Sequence, residues 1–186
     1  MDDLTFIKDY LNRYRKLLFK TDVSKKLIKM KEMLLNIKNS GKKVIIAGNG
    51  GSAAMASHVA VDFTKQGGIR TINFNEADLI TCFANDYGYE YWVGKAIEFY
   101  ADEGDLVILI SSSGSSLNMV NAAQTANKLG MTVVTFTGFK PNNPLKQEGQ
   151  LNFWADSKAY NIIENTHQVW LLLLCDLIIG KAEYSA

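Results

Sequence analysis

An α/β fold built on a parallel sheet covered on both faces is the architecture this sequence predicts, and three observations carry it. The apolar runs Val44-Ile45-Ile46-Ala47, Leu106-Val107-Ile108-Leu109-Ile110 and Met131-Thr132-Val133-Val134-Thr135-Phe136 lack polar alternation and read as strands buried on both sides. Between them, segments of helical period alternate with the strands. Two strands run straight into turns rich in glycine and serine that open a helix.

The elements follow in order. Leu4, Ile7, Leu11, Tyr14, Leu17 and Leu18 recur at helical spacing, as do Val23, Leu27, Met30, Leu34 and Ile37. Thr21-Asp22 supplies capping groups between them, so residues 1–40 read as an antiparallel helical hairpin leading a single domain whose α/β body is 41–186. The body then reads as a strand at Val44 to Ala47, a helix at Ser52 to Lys65 and a short strand at Thr71 to Phe74. Helices at Asp78 to Asn85 and Tyr89 to Tyr100 precede the strand at Leu106. A helix from Leu117 to Leu129 closes on Gly130. Both prolines lie in the loop 138–150, where one helical turn is expected. Leu151 to Trp154 reads as an edge strand and Tyr160 to Ile179 as the closing helix.

Composition narrows the function classes. With 47% hydrophobic and 21% charged residues and a net charge of +1, the chain shows no basic excess of the kind a nucleic-acid binder carries. Its partners are expected to be small molecules or proteins. Cys82 and Cys175 sit in apolar helical contexts and read as buried free thiols of a reducing cytoplasm. The acidic start Met1-Asp2-Asp3 does not read as a signal peptide. The apolar run from Val169 to Ile179 is shorter than the roughly 20 residues a bilayer requires, so a core or interface helix is expected and no membrane partner.

Chemistry is concentrated in the two turns. Gly48-Asn49-Gly50-Gly51-Ser52 and Ser111-Ser112-Ser113-Gly114-Ser115-Ser116 each end a strand and begin a helix, presenting backbone amides and hydroxyls where open α/β sheets bind ligands. A serine-rich turn by itself is as well explained as a flexible connection; two such turns in one chain favour a phosphate. No lysine completes a nucleoside-triphosphate loop. Ala53 stands where a dinucleotide fold has its third glycine, and no acidic residue closes the strand near Phe74. A small phosphorylated metabolite is the ligand this pattern fits.

Four ordered motifs, Gly48 to Ala54, Ala84 to Tyr89, Ile110 to Ser116 and Thr135 to Gly138, resemble the sugar isomerase (SIS) domain in its sedoheptulose-7-phosphate (phosphoheptose) isomerase branch. The resemblance spans essentially the whole chain. It implies a three-layer, flavodoxin-like sandwich and a homotetramer with active sites between subunits. It also implies a sugar phosphate held by Asn49, Gly50, Gly51, Ser52, Asn85, Asp86, Ser111, Ser112, Ser113 and Ser116. Ser112 and Ser115 replace the threonine and asparagine usual in relatives.

At the catalytic positions the sequence departs from the family pattern. Where relatives carry His-x-x-x-Glu on the first helix after the glycine turn, with the glutamate as base, this chain has His58 and Asp62. On the last helix, Glu164 and Asn165 stand at a Gln-Glu pair, His167 at the first histidine and Leu172 at the second, which leaves no proton carrier at that position. His167 lies five residues, about 140° of helical rotation, from position 172 and cannot replace it simply. Asp62, Glu164 and His167 are therefore the candidate catalytic groups. No cofactor is required by the sequence; zinc is admitted by the resemblance, with His58, Asp62, Glu164 and His167 as the available donors. His58 by itself reads as a capped, hydrogen-bonded helix residue ahead of a metal ligand.

Two functions stand. One is an aldose–ketose isomerase working through an enediol on sedoheptulose 7-phosphate or a similar ketose phosphate. The other is a catalytically degenerate SIS protein that senses a sugar phosphate, as in the branch that binds the bacterial replication initiator and also lacks the last-helix histidine.

Overall fold

The computed structural model describes residues 1–184. Five strands, β1 (Val44–Gly48), β2 (Thr71–Ile72), β3 (Leu106–Ser111), β4 (Thr132–Thr137) and β5 (Leu151–Trp154), pair in parallel in the order β2-β1-β3-β4-β5. The order reverses between β1 and β3, which opens a crevice beyond their carboxyl ends.

Residues alternate between two cores, as the pleat requires. Val44, Ile46, Leu106, Ile108 and Ile110 enter one core, with Met30 and Leu34 of α2 (Ser24–Asn39), Val59 and Phe63 of α3 (Gly51–Lys65), and Ile163 and Trp170 of α8 (Tyr160–Ile179). Ile45, Ala47, Val107 and Leu109 enter the other, with Trp92 and Ile97 of α5 (Trp92–Tyr100) and Met119 and Ala123 of α6 (Leu117–Lys128). Because β1 and β3 are buried on both faces, the result is the three-layer sandwich. By length and composition α8 is long enough to cross a bilayer; here its stripe from Ile162 to Cys175 is buried on the sheet.

The N-terminal helical pair is α1 (Asp3–Phe19) followed by α2, and both helices pack on α8. Leu4, Ile7 and Leu11 stay exposed on α1, because only one flank of its apolar stripe reaches the body. Two expectations change. The second strand stops at Ile72, since the Asn73 side chain accepts the Asn75 amide (3.0 Å) and turns the backbone away. Cys82 is exposed on α4 (Ala77–Tyr87), whereas Cys175 is buried; both are free thiols.

Candidate active site

β1 reaches α3 through Asn49 and Gly50. Gly50 holds φ +54°, ψ −120°, which a side chain would strain, and this lets the strand reverse into the helix within two residues. A Cβ on Gly48 would lie 2.7 Å from the Ser52 backbone, so the turn closes tightly on its own helix. The Asn49 and Asn118 side chains exchange amide hydrogen bonds of 2.9 and 2.8 Å, and the Tyr89 hydroxyl donates to Asn49 Oδ1 at 3.1 Å. The glycine turn is thereby tied to the first turn of α6.

The serine loop runs from β3 to α6. Ser111 Oγ donates to Ser116 Oγ (3.1 Å) across its mouth, and the Ser115 amide donates to Ser113 Oγ (3.2 Å). Ser116 begins α6 without using its hydroxyl as a cap, leaving that hydroxyl and the Leu117 and Asn118 amides for a ligand, while the Met119 and Val120 amides donate to the Ser116 carbonyl. Between the two turns lies a cavity of about 120 Å³ lined by Asn49, Ser52, Ile110, Ser111, Ser112, Ser113, Ser116, Tyr160 and Glu164. None of these is a cation, so an anion there would be held by hydroxyls, amides and the α6 dipole.

Glu164 is the one carboxylate among these lining residues. Its Oε1 accepts from Ser112 Oγ at 3.3 Å, and its Oε2 lies against the α carbon of Gly51, where any Cβ would overlap it. Gly51 therefore leaves the space that Glu164 occupies.

His58 and Asp62 lie further along α3, outside the lining. His58 Nε2 is 3.3 Å from Asp62 Oδ2, and the Gln168 amide nitrogen is 3.0 Å from His58 Nδ1. A donor at Nδ1 and an acceptor at Nε2 select the Nε2–H tautomer of the neutral ring. With only two histidines in the chain, imidazole ¹⁵N spectra resolve it. The neutral His58 ring is expected to show Nε2 protonated, and Gln168→Leu to give a tautomer mixture. A dominant Nδ1–H form in the wild type would contradict the arrangement.

His167 is displaced from the role the sequence assigns it. Its ring is fully buried between Phe136 and Trp170, Nε2 donates to the Thr137 carbonyl at 3.0 Å, and Nδ1 has no protein partner among the described residues. Burial lowers its pKa to about 4, against the pull of the Thr137 carbonyl. At neutral pH it is uncharged and sealed from the cavity. The reason lies in the stripe Ile163, Thr166, His167, Trp170, Leu171 and Leu174, which faces the sheet with His167 at its centre. Glu164 lies on the edge of that stripe and reaches the cavity.

An SIS-domain family model matches residues 9–138. A phosphoheptose isomerase from Fusobacterium nucleatum subsp. nucleatum is 33% identical over 181 residues, covering 95% of this chain and 93% of the relative. The chain belongs to the SIS-domain family, in its phosphoheptose isomerase branch. A phosphoheptose isomerase from Thermodesulfovibrio yellowstonii is 34% identical over 173 residues, 89% of this chain and 85% of that relative. The structure of a phosphoheptose isomerase from Francisella tularensis superposes with a TM-score of 0.89, covering 97% of this chain and 100% of that one. At 24% identity that likeness shows a shared fold.

The four donors that the SIS resemblance offers for zinc, His58, Asp62, Glu164 and His167, do not come together within one chain of this structure. Among the described residues no three His, Cys, Asp or Glu side chains gather to hold a metal. His58 has both ring nitrogens engaged, Glu164 sits apart against Ser112, His167 is in the core, and Leu172 packs there without a donor atom. Asn85 and Asp86 also lie outside the cavity lining of this SIS domain. Asn85 donates to Asp86 (2.9 Å), and Asp86 borders a separate cleft with Cys82, Phe83, Tyr87, Phe99 and Tyr100.

Asn118, Tyr89, Tyr160 and Gln168 are site and support residues that sequence reading misses. Asn118 falls at the second residue of α6, facing the glycine turn, a placement that needs the β1–β3 neighbourhood. Tyr160 carries a partial signal as the first residue of the last helix.

Proposed function

We propose that this SIS domain is a sugar-phosphate isomerase of the phosphoheptose isomerase type, interconverting sedoheptulose 7-phosphate and an aldoheptose phosphate through an enediol, with Glu164 as the base. One observation carries the reading: a carboxylate lines a hydroxyl-rich cavity without cations at the β1/β3 crevice. The phosphate is assigned to Ser113, Ser116 and the start of α6, and the reacting carbons to the end bounded by Ser52, Ser112 and Glu164.

Glu164 takes the proton from C1 to give the enediolate, the O1 proton passes to O2, a transfer that a bridging serine hydroxyl can relay, and Glu164 then returns its proton to C2 as C1 becomes the carbonyl. Each carbon and oxygen ends with the hydrogens of the aldose, and no redox partner is needed. Asp62, which stands at the position of the family's glutamate base, is engaged with His58 outside the lining.

A cavity of about 120 Å³ is below the roughly 300–1,000 Å³ typical of small-molecule sites. That leaves room for neighbouring subunits of the homotetramer implied by the SIS resemblance to complete the enclosure, and Asn85 and Asp86 enter the reading only across such a boundary. Light scattering checks the assembly. The free thiols favour a cytoplasmic setting.

Incubation with sedoheptulose 7-phosphate in deuterated water tests the activity. Aldose formation with deuterium at C2, and exchange at C1 of recovered ketose, is the expected result. Retained sugar-phosphate binding with neither exchange nor product would establish the regulatory alternative. That alternative has its own support in a last helix that brings no histidine to the cavity.

A further inference from the structure

The connection from β4 to β5 contains α7 (Pro144–Glu148), preceded by Asn143. Asn143 is 1% exposed and absent from the cavity lining, yet it uses its amide fully. Nδ2 donates to the Lys140 carbonyl (2.8 Å), to Thr137 Oγ1 (3.1 Å) and to the Gly138 carbonyl (3.3 Å). Oδ1 accepts the Lys146 amide at 2.9 Å. The side chain so fixed lies flat against Gly114 in the middle of the serine loop. Gly114 has φ +65°, and a Cβ there would overlap Asn143 Oδ1, Cγ and Cβ. Two residues beyond Asn143, the Leu145 amide donates to the Gly114 carbonyl (2.9 Å).

We infer that Asn143 is a positioning residue for the phosphate-binding serine loop, holding Gly114 from behind so that the hydroxyls of Ser113 and Ser116 and the first amides of α6 converge on one anion. This inference rests on the assignment of substrate phosphate to that loop. The loop is anchored at both ends by β3 and α6, but its middle has no regular structure to hold it. The Asn143 side chain and the Leu145 amide supply that third anchor. Asparagine suits the position because its NH2 must place two hydrogens among three nearby oxygens while its own oxygen accepts an N–H, and neither aspartate nor a longer amide does both in that space. The anchor continues into the core, since the carbonyl of Thr137, whose hydroxyl meets Asn143, accepts from His167.

The test uses the full chain and measures the Kd for inorganic phosphate, KM and kcat for sedoheptulose 7-phosphate, and the melting temperature. Asn143→Ala and Gly114→Ala are each expected to raise KM and the phosphate Kd by about ten-fold, the weight of one or two misdirected hydrogen bonds, with kcat less affected. Their double variant should lose less than the product of the two, because removing the Asn143 amide group vacates much of the space that a methyl at position 114 needs. Asn143→Asp keeps the shape and loses the donor; it should show the same KM rise and serves where Asn143→Ala does not fold. A purely structural Asn143 would lower the melting temperature and leave Kd and KM of the folded protein unchanged, which overturns the inference. A wild-type protein that binds neither phosphate nor sedoheptulose 7-phosphate overturns the phosphate-loop assignment, and the inference with it.

Discussion

Glu164→Gln is expected to lower turnover of sedoheptulose 7-phosphate by about 10²–10⁴-fold, the range that positioned general bases contribute, while substrate binding changes far less. Glutamine keeps the length of the side chain and an oxygen for the Ser112 hydroxyl, now 3.3 Å from Glu164 Oε1. What it loses is the capacity to hold a proton between C1 and C2. Removing the carboxylate also removes a negative charge from the cavity, so the phosphate Kd should stay level or fall. Asp62→Asn is the paired control: its carboxylate meets His58 outside the cavity lining, and most of the activity should survive. If the two results exchange places, Asp62 is the base and the reading of the cavity is wrong. Gly51→Ala belongs to the same series. Its methyl would push Glu164 out of place, and a displacement of about 1 Å can cost on the order of 10²-fold in rate.

The second large effect concerns stability and pH. His167 is held neutral by burial, with a pKa of about 4 in the folded chain against 6.5 for the free side chain. Between those values the unfolded chain binds a proton that the folded chain excludes, so stability rises with pH through this window and is complete above it. Acidification from the upper to the lower limit should remove about 3 kcal/mol, a large part of the 5–15 kcal/mol typical of a domain. Among the described residues the ring faces Phe136, Trp170 and the Thr137 carbonyl, so the effect is one of burial. Carboxylates titrate in the same range, so the measurement is the difference between wild type and His167→Gln in urea unfolding at neutral and acid pH. Glutamine retains a donor for Thr137 without titrating, and its stability should fall less on acidification. Parallel curves would show that His167 is not the group responsible.

Much of this molecule is legible along the chain. The bounds of β5 and α8 match the sequence reading because apolar period and flanking polar residues agree at both ends of each. The glycine and serine turns are legible for the same reason, since a strand that ends in residues able to turn sharply and a helix that starts there leave few alternatives. The second strand reads too long from sequence because an asparagine turn at Asn73 competes locally with pairing.

The site residues divide differently. Sequence alone determined that the chain presents two hydroxyl-bearing turns at helix N-termini, and that the family's histidine at position 172 is a leucine. Glu164 and His167 stand three residues apart on α8, a spacing that places both on one side of a helix, yet their fates separate. A helix surface turns by about 100° per residue, so three residues set His167 inside the stripe that meets the sheet and leave Glu164 on its edge. Only the packing of α8 against β4 and the glycine turn decides where that stripe lies. The same holds for Gln168, whose partner His58 is 110 residues away, and for Asn143, which reaches Gly114 through the fold. Local pattern specifies which groups a chain offers; which of them face a substrate is decided by the contacts that bury their neighbours.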